Sequence, residues 1–353
     1  MSKSAAIRNS IYRLIDESKS RQISKLPAER ELCTTMGVSR ATLARVLSEV
    51  EREGLIERRQ GSGTYILDRA QPSGTCFAVL LRGVIHKSRP HFDTITHGLS
   101  EHAAALNVHL QIFEGIQSQF EADPEHNRLC KSIDAGLIDG LIIISRMPLD
   151  VIARLYRRLP LVTVNNVVNP MEVTTITCDY FRAGFLAATH LLARGHRHMT
   201  YVTNSMGHAE SVENFSGFRS ALDARGLPCG EAALLVAGDN ADTIGNRVEA
   251  HLARYPQTGF FVRFDILAAQ LIRLLNRSGR QVPRDASVIG MGNYMGGYSS
   301  SVALTTVDSR LGDMGRKALD LLVESRTGDA LHGGLHLLEP KLIERESVCP
   351  PSR

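Results

Sequence analysis

Between residues 4 and 19 apolar side chains recur at helical spacing, with Ile7, Ile11, Leu14 and Ile15 on one stripe. Leu26-Pro27 breaks this period. Residues 28–36 then read as a short helix that starts beside a proline and stops at Gly37, a fitting left-handed residue beyond a helix end. Ser39 suits the N-cap of a further helix over 40–52, which Gly54 ends. Two strand-like runs, 55–59 and 64–67, flank Gln60-Gly61-Ser62-Gly63. Residues 69–75 carry Pro72 and Gly74 and read as a linker. Beyond it the rhythm changes. Short apolar runs at 77–81, 108–113, 140–144, 161–164, 174–177, 199–202, 234–236, 259–262 and 287–290 alternate with helical patterns near 92–105, 121–136, 149–158, 179–194, 212–225, 242–254 and 265–278.

The first pattern, three helices and a glycine-tipped hairpin, has the order of a winged helix-turn-helix. The second predicts parallel sheets covered on both faces, and nine strands are too many for one comfortable sheet, so two lobes are expected. The fold class is therefore α/β, with an N-terminal winged helix-turn-helix over 1–68, a linker over 69–75 and a two-lobed Rossmann-like domain over 76–348.

Charge sharpens this division. The 353 residues hold 41 Lys and Arg against 37 Asp and Glu, a net charge of +4. Residues 1–69 contain 13 basic and 9 acidic side chains and the remaining 284 contain 28 of each, so the whole excess sits in the first module. A small basic module on a neutral body points to a polyanionic partner. Apolar runs such as 141–144 are far shorter than the roughly 20 residues of a membrane helix. The first 19 residues are charged throughout and do not resemble a secretory signal. Six scattered cysteines without a CxxC pattern suggest reduced thiols and a cytoplasmic location. No HExxH, GxSxG or P-loop occurs, and Gly290, Gly292, Gly296 and Gly297 precede no helical pattern. Neither an enzyme nor a metal or cofactor site is expected, and His196-Arg197-His198 reads as a structural helix-to-strand turn.

Three stretches resemble the GntR family of winged-helix transcription factors: Leu26-Pro27-Ala28-Glu29-Arg30-Glu31-Leu32, Met36-Gly37-Val38-Ser39-Arg40-Ala41-Thr42-Leu43, and Glu53-Gly54-Leu55-Ile56 with Gln60-Gly61-Ser62-Gly63-Thr64-Tyr65. The resemblance implies DNA contacts at Arg30 and Arg40 and at the wing tip, Gln60, Gly61 and Gly63. A recognition helix carries short polar and arginine side chains into the major groove on its first turn, which Ser39, Arg40 and Thr42 supply. Where the family often has arginine this chain has Ala44; Arg45 lies one position along, about 100° away around the helix.

From Phe77 to Glu346 the chain resembles the LacI-family regulatory domain, a relative of periplasmic sugar-binding proteins. The resemblance rests on Gly136-Leu137-Ile138-Asp139-Gly140-Leu141-Ile142, Asp179-Tyr180-Phe181-Arg182-Ala183-Gly184, His190-Leu191-Leu192-Ala193-Arg194-Gly195-His196-Arg197, Gly217-Phe218-Arg219 and Val282-Pro283-Arg284-Asp285-Ala286-Ser287-Val288-Ile289-Gly290. The pairing resembles arabinose-repressor-type regulators, and it implies two lobes joined by three crossings. These are expected near Val164-Asn165, near Asn293 and after Glu324, giving one lobe over 76–164 and 294–324 and another over 165–293 and 325–348.

The resemblance places an effector between the lobes, at the carboxyl ends of the strands. The family's usual sugar contacts are altered. Asn214 stands where an arginine is common, Phe264-Asp265 where Asn-Asp is usual, and Gly290-Met291-Gly292-Asn293 where Gly-Phe-Asp-Asp is usual. Other strand-end loops offer His86, Arg89, His91 and Phe92, then Ser145 and Arg146, then Asn165. Asp179 and Asp265 are candidates too, although both fit equally as helix N-caps. Cations near one cleft favour an anionic sugar derivative, and Phe92 and Phe264 suit a sugar face; simple solvation of the loop cations is the alternative. The expected protein is a cytoplasmic homodimeric repressor on a pseudo-palindromic double-stranded DNA operator, with a small carbohydrate-like effector and no membrane partner. An activator, or a regulator that has lost sensing, has the same pattern.

Overall fold

The structure is a computed structural model. It describes residues 7, 10, 11, 14, 15, 18, 23–52, 56–59, 62–66, 75–82, 90–124, 126–168, 173–294, 301–326, 331 and 333–351. The chain divides into two compact units, Met1–Gly74 and Thr75–Arg353.

In the first unit, the described residues of α1 (within 7–18) are all helical. α2 (Glu29–Met36) and α3 (Arg40–Arg52) follow, then β1 (Ile56–Arg59) and β2 (Gly63–Ile66), paired antiparallel. Ile7, Ile11 and Ile15, four residues apart, pack with Leu32, Leu43, Val46, Leu47, Val50, Ile56 and Ile66 into one core. The turn between α2 and α3 follows from two residues. Gly37 takes φ 63°, ψ 38°, which lets its N–H return to Thr34 O at 3.4 Å and the Val38 N–H to Cys33 O at 3.1 Å. Ser39 then accepts the Thr42 N–H at 3.2 Å, capping α3.

Among the described residues the second unit holds two six-stranded sheets. One contains β3 (Cys76–Leu80), β4 (His109–Phe113), β5 (Gly140–Ile143), β6 (Leu161–Val164), β7 (Thr174–Cys178) and β13 (Leu335–Leu338), in the order β13-β7-β6-β5-β3-β4, all parallel. The other contains β8 (Met199–Thr203), β9 (Leu234–Val236), β10 (Gly259–Val262), β11 (Ser287–Met291), β12 (Thr305–Asp308) and β14 (Lys341–Ile343), in the order β14-β12-β11-β10-β8-β9. Only β14 in that sheet runs antiparallel. Strands such as β5 and β10 are buried at every position, as central parallel strands covered on both faces must be.

The lobe limits differ from those expected. The crossings fall between β7 and α8 (Tyr180–Ala193), between β12 and α12 (Leu311–Arg326), and between β13 and β14. Strands β7, β12 and β13 thus each lie in the lobe opposite to the one anticipated. The physical reason is that strand–helix alternation marks where strands are, not which sheet edge they join. β7 pairs with β6, with Val162 opposite Thr174, instead of opening the second sheet. α12 does lie in the first lobe, on α4 (Pro90–Ala105), β6 and β7. The helical stretch anticipated over 121–136 is two short helices, α5 (Ile116–Ala122) and α6 (Arg128–Asp134).

His196 fastens the C-terminal segment to the second lobe. Its Nε2 lies 2.9 Å from both the Cys349 carbonyl and Ser287 Oγ, and its Nδ1 lies 2.9 Å from Thr258 Oγ1. A carbonyl only accepts, so Nε2 carries the proton that Cys349 O receives. Burial holds His196 below the ordinary histidine value of 6.5, and it does the same to His190 and His251. Below that pH the unfolded chain binds protons that the folded chain refuses, so stability falls with acidification. The thermal midpoint of the full chain is therefore expected to drop between pH 7.5 and 5.5, and less steeply in His196→Gln, once its own destabilisation at pH 7.5 is subtracted. Parallel pH profiles of the two proteins would refute this role.

Candidate DNA interface and ligand cleft

In the first unit the helix-turn-helix leaves a set of cations exposed. Arg30 on α2 and Arg40 and Arg45 on α3 are exposed, as is Ser39, with Thr42 half-buried. Among the described residues Arg30 and Arg40 make no side-chain hydrogen bond or ion pair. The glutamate beside Arg30 has a different partner: Glu29 pairs with Arg58 Nη2 at 2.7 Å. Arg58 also reaches Ser48 Oγ at 3.3 Å, and its backbone N–H donates to Glu51 at 2.8 Å, so it binds α2, α3 and the hairpin together. Arg30 and Arg40 are left to water or a ligand. Ser39 Oγ and Thr42 Oγ1 lie 2.8 Å apart, so the capping hydroxyl also orients the threonine on the first turn.

Gln60 and Gly61 lie outside the described residues. Gly63 has φ 120°, and a Cβ there would lie 2.6 Å from Lys25 Cε. This close approach sets Lys25 Nζ 5.3 Å and Arg59 4.7 Å from the Tyr65 ring centre. Lys25 and Arg59 thus bring two cations to the wing that were not among the anticipated contacts, Arg59 being paired with Glu57 at 2.9 Å.

In the second unit a cavity of about 990 Å³ opens between the lobes. Its walls are residues that follow the strands: Leu81 and Arg82 after β3, Ile144, Ser145 and Arg146 after β5, Asn165 after β6, Asn204 after β8, and Arg263 and Phe264 after β10. Parallel strands direct their carboxyl ends to one edge, so the loops of both sheets meet there. Asn165, at φ 53°, is held by the Ile176 carbonyl at 2.7 Å and accepts the Tyr180 hydroxyl at 2.5 Å. Burial pushes the Tyr180 phenol well up, so this hydroxyl remains a donor. Across the cleft Arg146 Nη2 of the first lobe meets both oxygens of Glu210 at 2.7 and 3.0 Å, and its Nη1 meets His208 Nδ1 at 3.0 Å. Both partners stand at the start of α9 (Ala209–Asp223) in the second lobe. Burial alone would raise the Glu210 carboxyl, but its own backbone N–H and Arg146 reverse this and hold it below the usual value.

Residues 3–66 match the gntR family of bacterial regulatory proteins, and residues 188–348 match the periplasmic binding protein-like domain. The chain joins a GntR-type DNA-binding domain to a LacI-type effector domain. The arabinose metabolism transcriptional repressor of Halalkalibacterium halodurans is 24% identical over 92% of this chain and 91% of that protein. The transcriptional repressor CytR of Escherichia coli K12 is 25% identical over 93% of each chain. A LacI-family regulator from Enterococcus faecium with bound ribose superimposes with a TM-score of 0.63 at 25% identity, covering 79% of this chain and 100% of that one. The chain is accordingly a DNA-binding transcription regulator. Among its described residues no helix is long and apolar enough to cross a membrane, and no cluster of His, Cys, Asp or Glu could hold a metal ion.

The effector domain gathers part of the anticipated set. His91, Phe92, Ser145, Arg146, Asn165 and Phe264 line the cavity. His86 and Arg89 lie outside the described residues. Asp179, Asn214, Asp265 and Asn293 are not among the lining residues, and each is engaged elsewhere. Asp179 caps α8 through the Arg182 N–H at 2.7 Å. Asn214 is fully buried, its Nδ2 3.4 Å from Met291 Sδ. Asp265 is not an N-cap, since Phe264 occupies that position before α11 (Asp265–Arg277). Its carboxylate instead accepts the Thr306 hydroxyl at 2.6 Å, fastening α11 to β12. Asn293 bridges Asp308 at 3.2 Å and Arg345 at 2.8 Å. Sequence reasoning passed over Tyr180, Arg263, Glu210 and His208 as wall residues; an arginine directly after the fully buried run Gly259–Val262 was the available sign for the second of these.

Proposed function

We propose that this chain is a cytoplasmic repressor that binds a pseudo-palindromic operator as a homodimer and leaves it when a small carbohydrate-like effector occupies the cleft. Arg30, Ser39, Arg40, Thr42 and Arg45 present the recognition surface, with Gln60, Gly61 and Gly63 at the wing. The single observation that carries this reading is the exposed, unpaired pair Arg30 and Arg40 on a helix-turn-helix whose neighbouring glutamate is already taken by Arg58. The cleft supports the sensing half. Its polar walls come from both lobes, and the Arg146–Glu210 contact gives the lobes one arrangement that a ligand can favour or break. The relative with ribose bound supports the effector class. Activation in place of repression needs only a different operator position, and the same protein would serve.

The test is selection of bound fragments from genomic DNA by the purified full chain at stated salt. Enrichment of one inverted repeat is the expected result. Salt-sensitive binding with no enriched sequence would reject it.

A further inference from the structure

Arg263 is a cleft residue whose charge no ion pair takes up among the described residues. It directly follows β10, its backbone N–H donates to Val202 O at 2.9 Å, and the residue is only 7% exposed. Its guanidinium lies 5.1 Å from the Tyr180 ring centre and 4.4 Å from that of Phe264. Among the described residues it makes no ion pair, and its Nε is buried with no hydrogen-bond partner. Two aromatic faces hold the plane of a cation well, but they accept none of its five N–H donors. Tyr180, Tyr201 and Tyr294 favour its charge ahead of the carboxylate of Glu210, and both Glu210 oxygens already accept Arg146. A buried cation with unmet donors is costly unless something enters to meet it.

From this geometry we infer that Arg263 is the anchor for an oxyanion on the effector, and that the effector is a sugar acid whose carboxylate takes the edge of this guanidinium. The inference rests on the sensing role proposed above and names its ligand class. A carboxylate matches the planar fork with two parallel hydrogen bonds, which hydroxyls of a neutral sugar do not. A phosphate dianion shares that chemistry, but the exposed carboxylates of Glu121 and Asp239 also line the cavity, and they oppose a second negative charge more than a single one. The same two carboxylates are good acceptors for sugar hydroxyls.

The test uses the full chain and its Arg263→Met variant, which keeps an unbranched stem and removes the charge. Thermal midpoints are compared at fixed ionic strength in chloride, malonate and sulfate. Calorimetric titrations follow with galacturonate, gluconate, galactose, glucose and glucose 6-phosphate. In chloride the variant is expected to be at least as stable as the parent, because it loses an unpaired buried charge; a structural arginine would give a clear loss. Malonate and sulfate are expected to stabilise the parent more than the variant, which cancels their general effect on folded proteins. A sugar acid is expected to bind the parent about tenfold or more tightly than the variant, and more tightly than its neutral counterpart or the phosphate. If parent and variant respond alike to oxyanions, the anchor is refuted. Tightest binding of glucose 6-phosphate would keep the anchor and overturn the carboxylate. Neutral sugars that bind both proteins equally would leave sensing intact and remove Arg263 from it. Oxyanion effects that depend on Arg263, with no sugar bound, would keep the anchor and remove the carbohydrate reading. Should Arg263→Met fail to fold, Arg263→Lys keeps the charge without the fork, and a loss of carboxylate binding of the same order is expected there.

Discussion

Gly184→Val is expected to unfold the second lobe under conditions where the parent is fully native. A Cβ at Gly184 would lie 1.9 Å from the Asn214 carbonyl oxygen and 3.0 Å from the Phe218 nitrogen. The relation is reciprocal, for a Cβ at Gly217 would lie 1.9 Å from the Phe181 carbonyl oxygen. α8 and α9 therefore touch backbone to backbone at two glycines, one from each helix. Because the obstacles are main-chain atoms, no rotamer change relieves the clash and the helices must separate. Separation opens the layer beneath them, where Tyr201 and Phe261 ring centres lie 5.3 Å apart and Tyr201 and Phe218 6.3 Å apart. Overpacking of this kind, with the cavity it leaves, costs about 3 kcal/mol or more. Removing a glycine from a helix returns at most about 1 kcal/mol, so the clash decides the sign. Gly245→Ala in α10 (Ala241–Arg254) is the contrast. Its Cβ meets nothing within 4 Å, and a gain of about 0.5–1 kcal/mol is expected. Urea unfolding of both variants measures this. A Gly184→Val midpoint equal to the parent's would mean that the helices do not meet as described.

The same glycine logic shows what the sequence carried openly and what it did not. Gly37 and Ser39 were readable because their roles are local: one residue must turn left-handed, and the next cap must reach an N–H three residues on. The strands were readable because a buried parallel strand is a short apolar run whatever it pairs with. Sheet membership is a long-range property, and nothing in Thr174–Cys178 states that its partner is Leu161–Val164 and not a strand beyond it. Hence β7, β12 and β13 were assigned across the cleft. The cavity walls divide in the same way. Ser145 and Asn165 follow strands and were found by that rule, whereas Phe264 was found by comparison with the family. The use of each polar side chain depended on a distant partner, as when Asp265 turns from a cap to Thr306, 41 residues away. Arg263 was hidden for another reason: comparison with the family drew attention to the positions beside it, Phe264 and Asp265.

Arg40→Ala is expected to weaken operator binding by about 1–3 kcal/mol, roughly 5- to 150-fold, without lowering the thermal midpoint of the protein. Arg40 opens α3, is exposed, and makes no side-chain hydrogen bond or ion pair among the described residues, so its removal is expected to leave the folded domain intact. Arg58→Ala separates contact from fold. It removes the pair with Glu29 at 2.7 Å and the hydrogen bond to Ser48 at 3.3 Å, so it is expected to lower the midpoint of the first unit. Any loss of DNA binding in Arg58→Ala then follows from loosened helices. The two roles open to Arg40 also differ in what they predict. If it reads a base edge, the loss falls on the selected operator and little on scrambled DNA. If it holds a phosphate, both duplexes lose equally and the slope of log affinity against log salt falls by about one. Fluorescence anisotropy titrations with both duplexes at two salt concentrations distinguish these outcomes. The helix N-terminus favours the first reading, because Ser39 already orders the first turn and Thr42, with its hydroxyl beside the cap, stands on that same turn. Unchanged affinity for both duplexes would remove Arg40 from the interface and leave Arg30, Arg45 and the wing cations Lys25 and Arg59 to hold the DNA.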